Sequence, residues 1–321
     1  MGNREDSRTK VVVVGAGAVG STFAYTLMNS GLAQRIVLVD KDRERAESEA
    51  MDLNHGLCFA PPVAISAGDY ADCADAGVVV ITAGVTQKPG ESRLELIARN
   101  SVICRSIVGS IVAQTREAVI IMVTNPVDVL TYDALRHAGL PWQRVLGSGT
   151  VLDSARFRYL LSSHCEVDAR NVHAYILGEH GDSEIAAWSM THLAGLAIAK
   201  FCELCGRCDA ERHRRGIFEQ VRESAYHLIE AKGFTNYGIA QALLRIVGAV
   251  VRDEHSVLTV SSFIEDYEGI GDVCLSVPCV VGRGGIVRQL LPELPGDEME
   301  GLRASAAKLK EVQDSLPAEG G

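Results

Sequence analysis

Four consecutive valines, Val11 to Val14, run directly into Gly15-Ala16-Gly17-Ala18-Val19-Gly20. The apolar run is far too short to span a bilayer and suits a strand buried on both faces. The glycines that follow restrict what comes next. Gly15 permits a tight turn, Gly17 lets backbone approach a pyrophosphate, and Gly20 lets a helix pack closely on the strand. Asp40 ends the next β-branched run, 20 residues beyond Gly20. Strand, glycine turn, helix, strand and acid in that order make a dinucleotide-binding unit, which a bare G-x-G-x-x-G would not. The helix start offers unpaired N–H groups to phosphates. Asp40 accepts from ribose hydroxyls and repels a 2′-phosphate, so NAD is expected over NADP. Gly15, Gly17, Val19, Gly20 and Asp40 are the expected cofactor contacts. Gly84 and Asn125, just beyond later strand ends, join them.

The alternation continues through the first half. Strands are expected at Lys10–Val14, Arg35–Asp40, Val78–Ala83, Val119–Thr124 and Val145–Gly147, with helices at Gly17–Asn29, Arg43–Leu53, Glu91–Gln114 and Asp128–His137. This spacing predicts an α/β fold, a Rossmann-type doubly wound parallel sheet. Ligands on such sheets lie beyond the carboxyl ends of the strands. The second half reads as an α+β substrate domain. Helices are expected at Thr150–Ser162, Ile217–Ala231, Gly238–Val251 and Asp297–Leu309, and strands at Val172–Leu177, Val257–Ser262 and Val273–Val281. The boundary falls near Gly149, giving a cofactor domain over 1–149 and a substrate domain over 150–321.

Net charge of −10 leaves no basic footprint, so nucleic acid is not an expected partner. No apolar run is long enough for a membrane span, and Met1–Lys10 is polar, without a secretory core, which points to the cytoplasm. Most of the nine cysteines are then expected to be free, buried thiols. Cys202, Cys205 and Cys208 form a C-x-x-C-x-x-C cluster, with His213 the nearest further ligand type. Structural zinc takes four ligands, so the cluster is read as a reduced loop and no metal is expected.

The chemistry is concentrated between Leu152 and Glu184. Asp153 and Arg156 are three apart and share one helix face. A guanidinium there can grip a carboxylate with two parallel hydrogen bonds. Gly178-Glu179-His180-Gly181-Asp182 puts a histidine between glycines, at a turn after a strand. Such a histidine can carry a hydroxyl proton, with Asp153 orienting it and stabilising its charged form.

These segments resemble those of the L-lactate dehydrogenases, most closely the bacterial ones, from about Val11 to about Leu309. The resemblance takes in Gly15–Gly20, Asp40, Ala83–Arg93, Thr124-Asn125-Pro126, Leu152–Arg158, Gly178–Glu184 and Lys232–Gly238. It implies that His180 is the proton donor and acceptor, with Asp153 as its partner. It implies that Arg156 binds the substrate carboxylate, that Arg93 on a mobile loop polarises the reacting carbonyl, and that Asn125 and Thr235 line the site. Gln87 occupies the position where the related malate dehydrogenases carry an arginine, which favours pyruvate over oxaloacetate. The activity implied is reversible hydride transfer between NADH and pyruvate, giving (S)-lactate, as the terminal step of fermentative glycolysis. A homotetramer is implied too, with Arg158 and His173 binding the effector fructose 1,6-bisphosphate between subunits. Two other readings compete: a malate or other 2-hydroxy-acid dehydrogenase, and a non-catalytic NAD-binding sensor. The intact set of His180, Asp153, Arg156 and Arg93 argues against the sensor. Phe234 and Asn236 depart from the alanine and tyrosine more usual beside Thr235, which leaves longer 2-keto acids open as substrates.

Overall fold

The computed structural model describes residues 9–86, 90–205 and 210–316. Six parallel strands form its centre: β1 (Lys10–Val14), β2 (Arg35–Val39), β3 (Ala64–Ala67), β4 (Val78–Ile81), β5 (Val119–Met122) and β6 (Val145–Gly147). Their spatial order is β3-β2-β1-β4-β5-β6. The chain therefore winds outward in one direction and then in the other from the seam between β1 and β4, where such sheets hold their ligands.

The apolar runs divide by the period of two that a pleated strand imposes. Val11, Val13, Ile36, Leu38, Val78 and Val80 face one core, with Phe23, Ala24 and Leu27 of α1 (Ala18–Ser30) and Ala46 and Ala50 of α2 (Arg43–His55). Val12, Val14, Val37, Val39, Val79 and Ile81 face the other. There they meet Cys104, Val108 and Ile111 of α3 (Arg93–Val112) and Leu130 and Ala134 of α4 (Val127–Ala138). Because both faces are covered, the middle strands are apolar almost throughout, as in VVVI of β4 and VIIM of β5.

After β6 the chain enters α5 (Val151–Cys165), then β7 (Val172–His173), β8 (Ile176–Leu177), β9 (Ile185–Ala186), β10 (His192–Leu193) and β11 (Leu196–Ala197). Helices α6 (Ile198–Cys205), α7 (Ala210–Lys232) and α8 (Tyr237–Val251) follow. Strands β12 (Ser256–Leu258), β13 (Ser261–Ile264), β14 (Val273–Ser276), β15 (Cys279–Gly282) and β16 (Gly285–Gln289) precede the final helix α9 (Gly296–Asp314). A third core joins Phe157 and Leu161 of α5 to Val172, Ile176, Leu193 and Val221.

Three expected strands prove to be pairs. Val172–Leu177 divides between β7, paired with β10, and β8, paired with β9. Val257–Ser262 divides between β12 and β13. Val273–Val281 divides at Pro278, which has no N–H to continue a ladder. Strands β13 and β14 then leave their neighbours and extend the central sheet antiparallel beyond β6, pairing Ser261 with Gly147. Edge strand β3 was not anticipated, being four residues long with only Ile65 buried. Cys202 sits on helix α6 rather than in a loop. Cys208 and the side chains of Cys205 and His213 lie outside the described residues.

The glycine turn tolerates little change. A Cβ on Gly20 would lie 1.8 Å from the Gly15 carbonyl oxygen, which is backbone and cannot swing aside, whereas one on Gly17 meets nothing within 4 Å. Gly20→Ala should lose stability by about 1–3 kcal/mol through overpacking. Gly17→Ala should keep the native Tm and weaken dinucleotide binding. Thermal unfolding of both variants, with and without cofactor, checks this contrast.

Candidate active site

The dinucleotide turn is built from backbone held by Asp40. Gly15 takes φ +108°, the left-handed region that favours glycine, and its N–H donates to the Val39 carbonyl at 2.7 Å. The Ala16 N–H donates to Asp40 Oδ2 at 2.7 Å and the Asp42 N–H to Oδ1 at 3.0 Å. Each oxygen keeps a lone pair for a ribose hydroxyl. The space before Gly17 is open at the start of α1, where free N–H groups suit a pyrophosphate. Half-buried Val19 lies on the first turn of that helix. Gly84 lies so close to Thr124 that a Cβ would come within 2.4 Å of its methyl. These residues fit a bound dinucleotide.

The cluster of His180, Asp153 and Arg156 forms where α5 meets the turn after β8. Gly178 adopts φ +87° and reverses the chain, so His180 reaches Asp153 on the first turn of α5. His180 Nδ1 lies 2.5 Å from Asp153 Oδ2, and Arg156 Nη1 donates to Asp153 Oδ1 at 2.6 Å. The Asp153 side chain is 3% exposed, Arg156 14% and His180 24%. One carboxylate therefore serves two cations, and His180 Nε2 remains the ring nitrogen for a ligand. Burial pulls the imidazole towards neutrality, but the negative charge and hydrogen bond of Asp153 prevail, lifting its pKa from 6.5 to about 9. Burial likewise opposes the Asp153 charge, and His180 and Arg156 overcome it, holding that carboxyl below its ordinary value. Among the described residues, no group of three or more His, Cys, Asp and Glu side chains could hold a metal.

A cavity of about 240 Å³ opens on this pair. Arg93, Asn125, Asp153, Arg156 and His180 line it, with Arg222, Ala225, Tyr226 and Ile229 of α7 forming another wall. Arg93 is the first residue of α3, behind a Ser92–Glu95 capping box, and its side chain is 59% exposed. Its nearest acids are Glu179 at 3.7 Å and Asp182 at 3.9 Å, so it is held loosely. Thr235 is half-buried between α7 and α8 and does not line the cavity in this structure. Gln87 lies outside the described residues. Arg158 points away from the cavity: its Nε donates to the Ala174 carbonyl at 3.0 Å and its guanidinium stacks on Tyr175. His173, one residue before Ala174, is exposed on β7.

Three residues here were not anticipated. Asp128, 1% exposed, accepts the His180 N–H at 2.7 Å and so ties the histidine turn to α4; burial pushes its own carboxyl up to about 6. Asn100, 2% exposed, accepts from the Val85 N–H and donates to the carbonyls of Val85 and Asn125, joining two loops at the sheet's edge. Glu184 lines the cavity, and burial with the nearby Asp153 charge pushes its carboxyl well above the usual carboxylate range. Asn100 had a sequence signal. It is a polar residue on the stripe Ile97, Cys104, Val108 and Ile111, which predicts a buried hydrogen-bonding task.

Residues 9–147 match the family description "lactate/malate dehydrogenase, NAD binding domain", and residues 150–319 match its "alpha/beta C-terminal domain". The chain is 52% identical to the L-lactate dehydrogenase of Acetivibrio thermocellus over 307 residues, covering 96% of this chain and 97% of that one. It is 52% identical over 310 residues to that of Treponema denticola, covering 96% and 98%. Among solved structures, the minor L-lactate dehydrogenase of Enterococcus mundtii superposes with a TM-score of 0.94 at 40% identity, covering 97% and 99%. A lactate dehydrogenase from a deep-sea metagenome library superposes with a TM-score of 0.93 at 43% identity, covering 95% and 98%.

The paired charges make a direct prediction. In Asp153→Asn the burial of His180 loses its main compensation, leaving only the weaker effects of Asp128 and Glu184, so its titration midpoint should fall well below 9. NMR of the imidazole protons measures this, and an unchanged midpoint would mean that another group holds the charge.

Proposed function

Because the chain belongs to the lactate/malate dehydrogenase family, we propose that its site reduces pyruvate to (S)-lactate with NADH, and runs the reverse reaction. The observation that carries this reading is the His180–Asp153–Arg156 cluster at the cavity floor. Arg156 binds the substrate carboxylate while one of its nitrogens stays on Asp153, which fixes the carboxylate's angle. His180 Nε2, protonated at neutral pH, gives its proton to the carbonyl oxygen at C2. Asp153 keeps the imidazole in place and offsets the charge it carries. Arg93 moves from its loose acidic contacts onto the polarised oxygen, and Asn125 adds a neutral hydrogen bond. Thr235 approaches the substrate when the cavity closes. Bound NADH supplies the hydride to C2. Regenerating NAD in this way suits the last step of fermentative glycolysis in the cytoplasm.

Substrate choice follows from charge. Gln87 offers no cation to a second carboxylate, and an unpaired carboxylate in a closed cavity is costly. The test is kcat/KM with NADH for pyruvate, oxaloacetate and 2-ketobutyrate. Pyruvate should lead oxaloacetate by tenfold or more on the scale of a lost ion pair, and Gln87→Arg should narrow the gap. A native preference for oxaloacetate would support the malate dehydrogenase alternative instead.

We further propose a homotetramer activated by fructose 1,6-bisphosphate. Supporting this, Arg158 lies on the side of α5 away from the cavity and donates to the Ala174 carbonyl, one residue after the exposed His173. The Arg158 guanidinia of two subunits would repel there, and a bisphosphate would offset them. Fructose 1,6-bisphosphate should lower the apparent KM for pyruvate in the native enzyme and not in Arg158→Gln. Superimposed native saturation curves with and without effector would rule the site out.

A further inference from the structure

Phe234 and Asn236, the two unusual neighbours of Thr235, do not line the cavity. Phe234 is 44% exposed, whereas Asn236 is 7% exposed and has both ends of its amide engaged. Its Nδ2 donates to Thr22 Oγ1 at 2.8 Å, and its Oδ1 accepts from Lys232 Nζ at 2.5 Å. The Lys232 ammonium also lies 3.9 Å from the Tyr237 ring centroid and 5.1 Å from that of Phe234, so Phe234, Asn236 and Tyr237 together hold it. Thr22 in turn donates its hydroxyl to the carbonyl of Ala18, the first residue of α1 beside the dinucleotide turn. The Asn236 carbonyl accepts the Ala240 N–H, fixing the start of α8, and α8 packs along α1. A continuous hydrogen-bonded path thus joins the residue after Thr235 to the first turn of the cofactor helix.

We infer that Asn236 is a positioning residue that fastens the Thr235 loop to the dinucleotide helix and so couples cofactor binding to substrate binding. The inference rests on the lactate dehydrogenase reading, in which α1 meets the pyrophosphate and Thr235 the substrate. Without the tether, the loop orders itself only when substrate arrives. Cofactor and substrate then lose part of their mutual reinforcement, which is equal in both directions.

The test measures the NADH dissociation constant with and without saturating oxamate, an isostere of pyruvate that accepts no hydride. The native enzyme should bind NADH more tightly with oxamate. In Asn236→Ala and in Thr22→Val that enhancement should fall roughly three- to tenfold, the scale of one hydrogen bond. Thr22→Ser keeps the hydroxyl and should keep the native enhancement. The double variant should lose no more than either single one, because both remove the same link. Native enhancement in Thr22→Val, or losses that add in the double variant, would overturn the inference, even if Asn236→Ala fails to fold. Native enzyme that reduces no pyruvate would overturn the functional reading, and this inference with it.

Discussion

Asp153 is the charge on which the site is assembled. It is buried on the first turn of α5, where the helix dipole favours an anion, and it holds two cations from different parts of the chain. Its charge and hydrogen bond outweigh burial and, with smaller contributions from Asp128 and Glu184, lift the His180 pKa from 6.5 to about 9. Removing one partner of such a buried pair costs about 3–5 kcal/mol, because the remaining charge stays desolvated. Asp128 secures the same histidine through its backbone, so ring and main chain are fixed from two directions. The proposed proton delivery thus depends on a network reaching from α4 to α5.

The central sheet brings that network to the cofactor. The dinucleotide turn, Gly84 and Asn125 all follow the carboxyl ends of parallel strands on either side of the β1–β4 seam. The second half is bound into the same frame. Strands β13 and β14 continue the sheet beyond β6, and Gly178 bridges to Ser276 of β14 immediately before the His180 turn. The position of His180 is therefore referred to the strands that also carry the cofactor loops.

Much of this was legible in the chain. The valine run, the glycine spacing and Asp40 specify one local geometry whose parts are all close in sequence. The Asp153–Arg156 spacing and the glycine-flanked His180 likewise carried their chemistry in local pattern. What stayed hidden were contacts between distant segments. Asp128 reads as an ordinary acid in a helix's first turn, and nothing nearby in sequence shows that it meets His180 across 52 positions. Asn236 beside Thr235 suggested an altered substrate pocket, yet it turns to Thr22, 214 positions away. The divided strands were hidden for a related reason. An apolar stretch such as Val172–Leu177 carries no mark of which partner each half will pair with, since partner choice is set by the assembled sheets.

The pH dependence of kcat/KM in both directions tests the central claim most directly. Pyruvate reduction needs protonated His180, so it should hold steady through neutral pH and fall as pH rises through about 9. Lactate oxidation needs the neutral imidazole and should rise across the same interval. Opposed limbs sharing one midpoint are the predicted result. A pyruvate limb that breaks near 6.5, or flat profiles in both directions, would show that Asp153 does not hold the proton on His180.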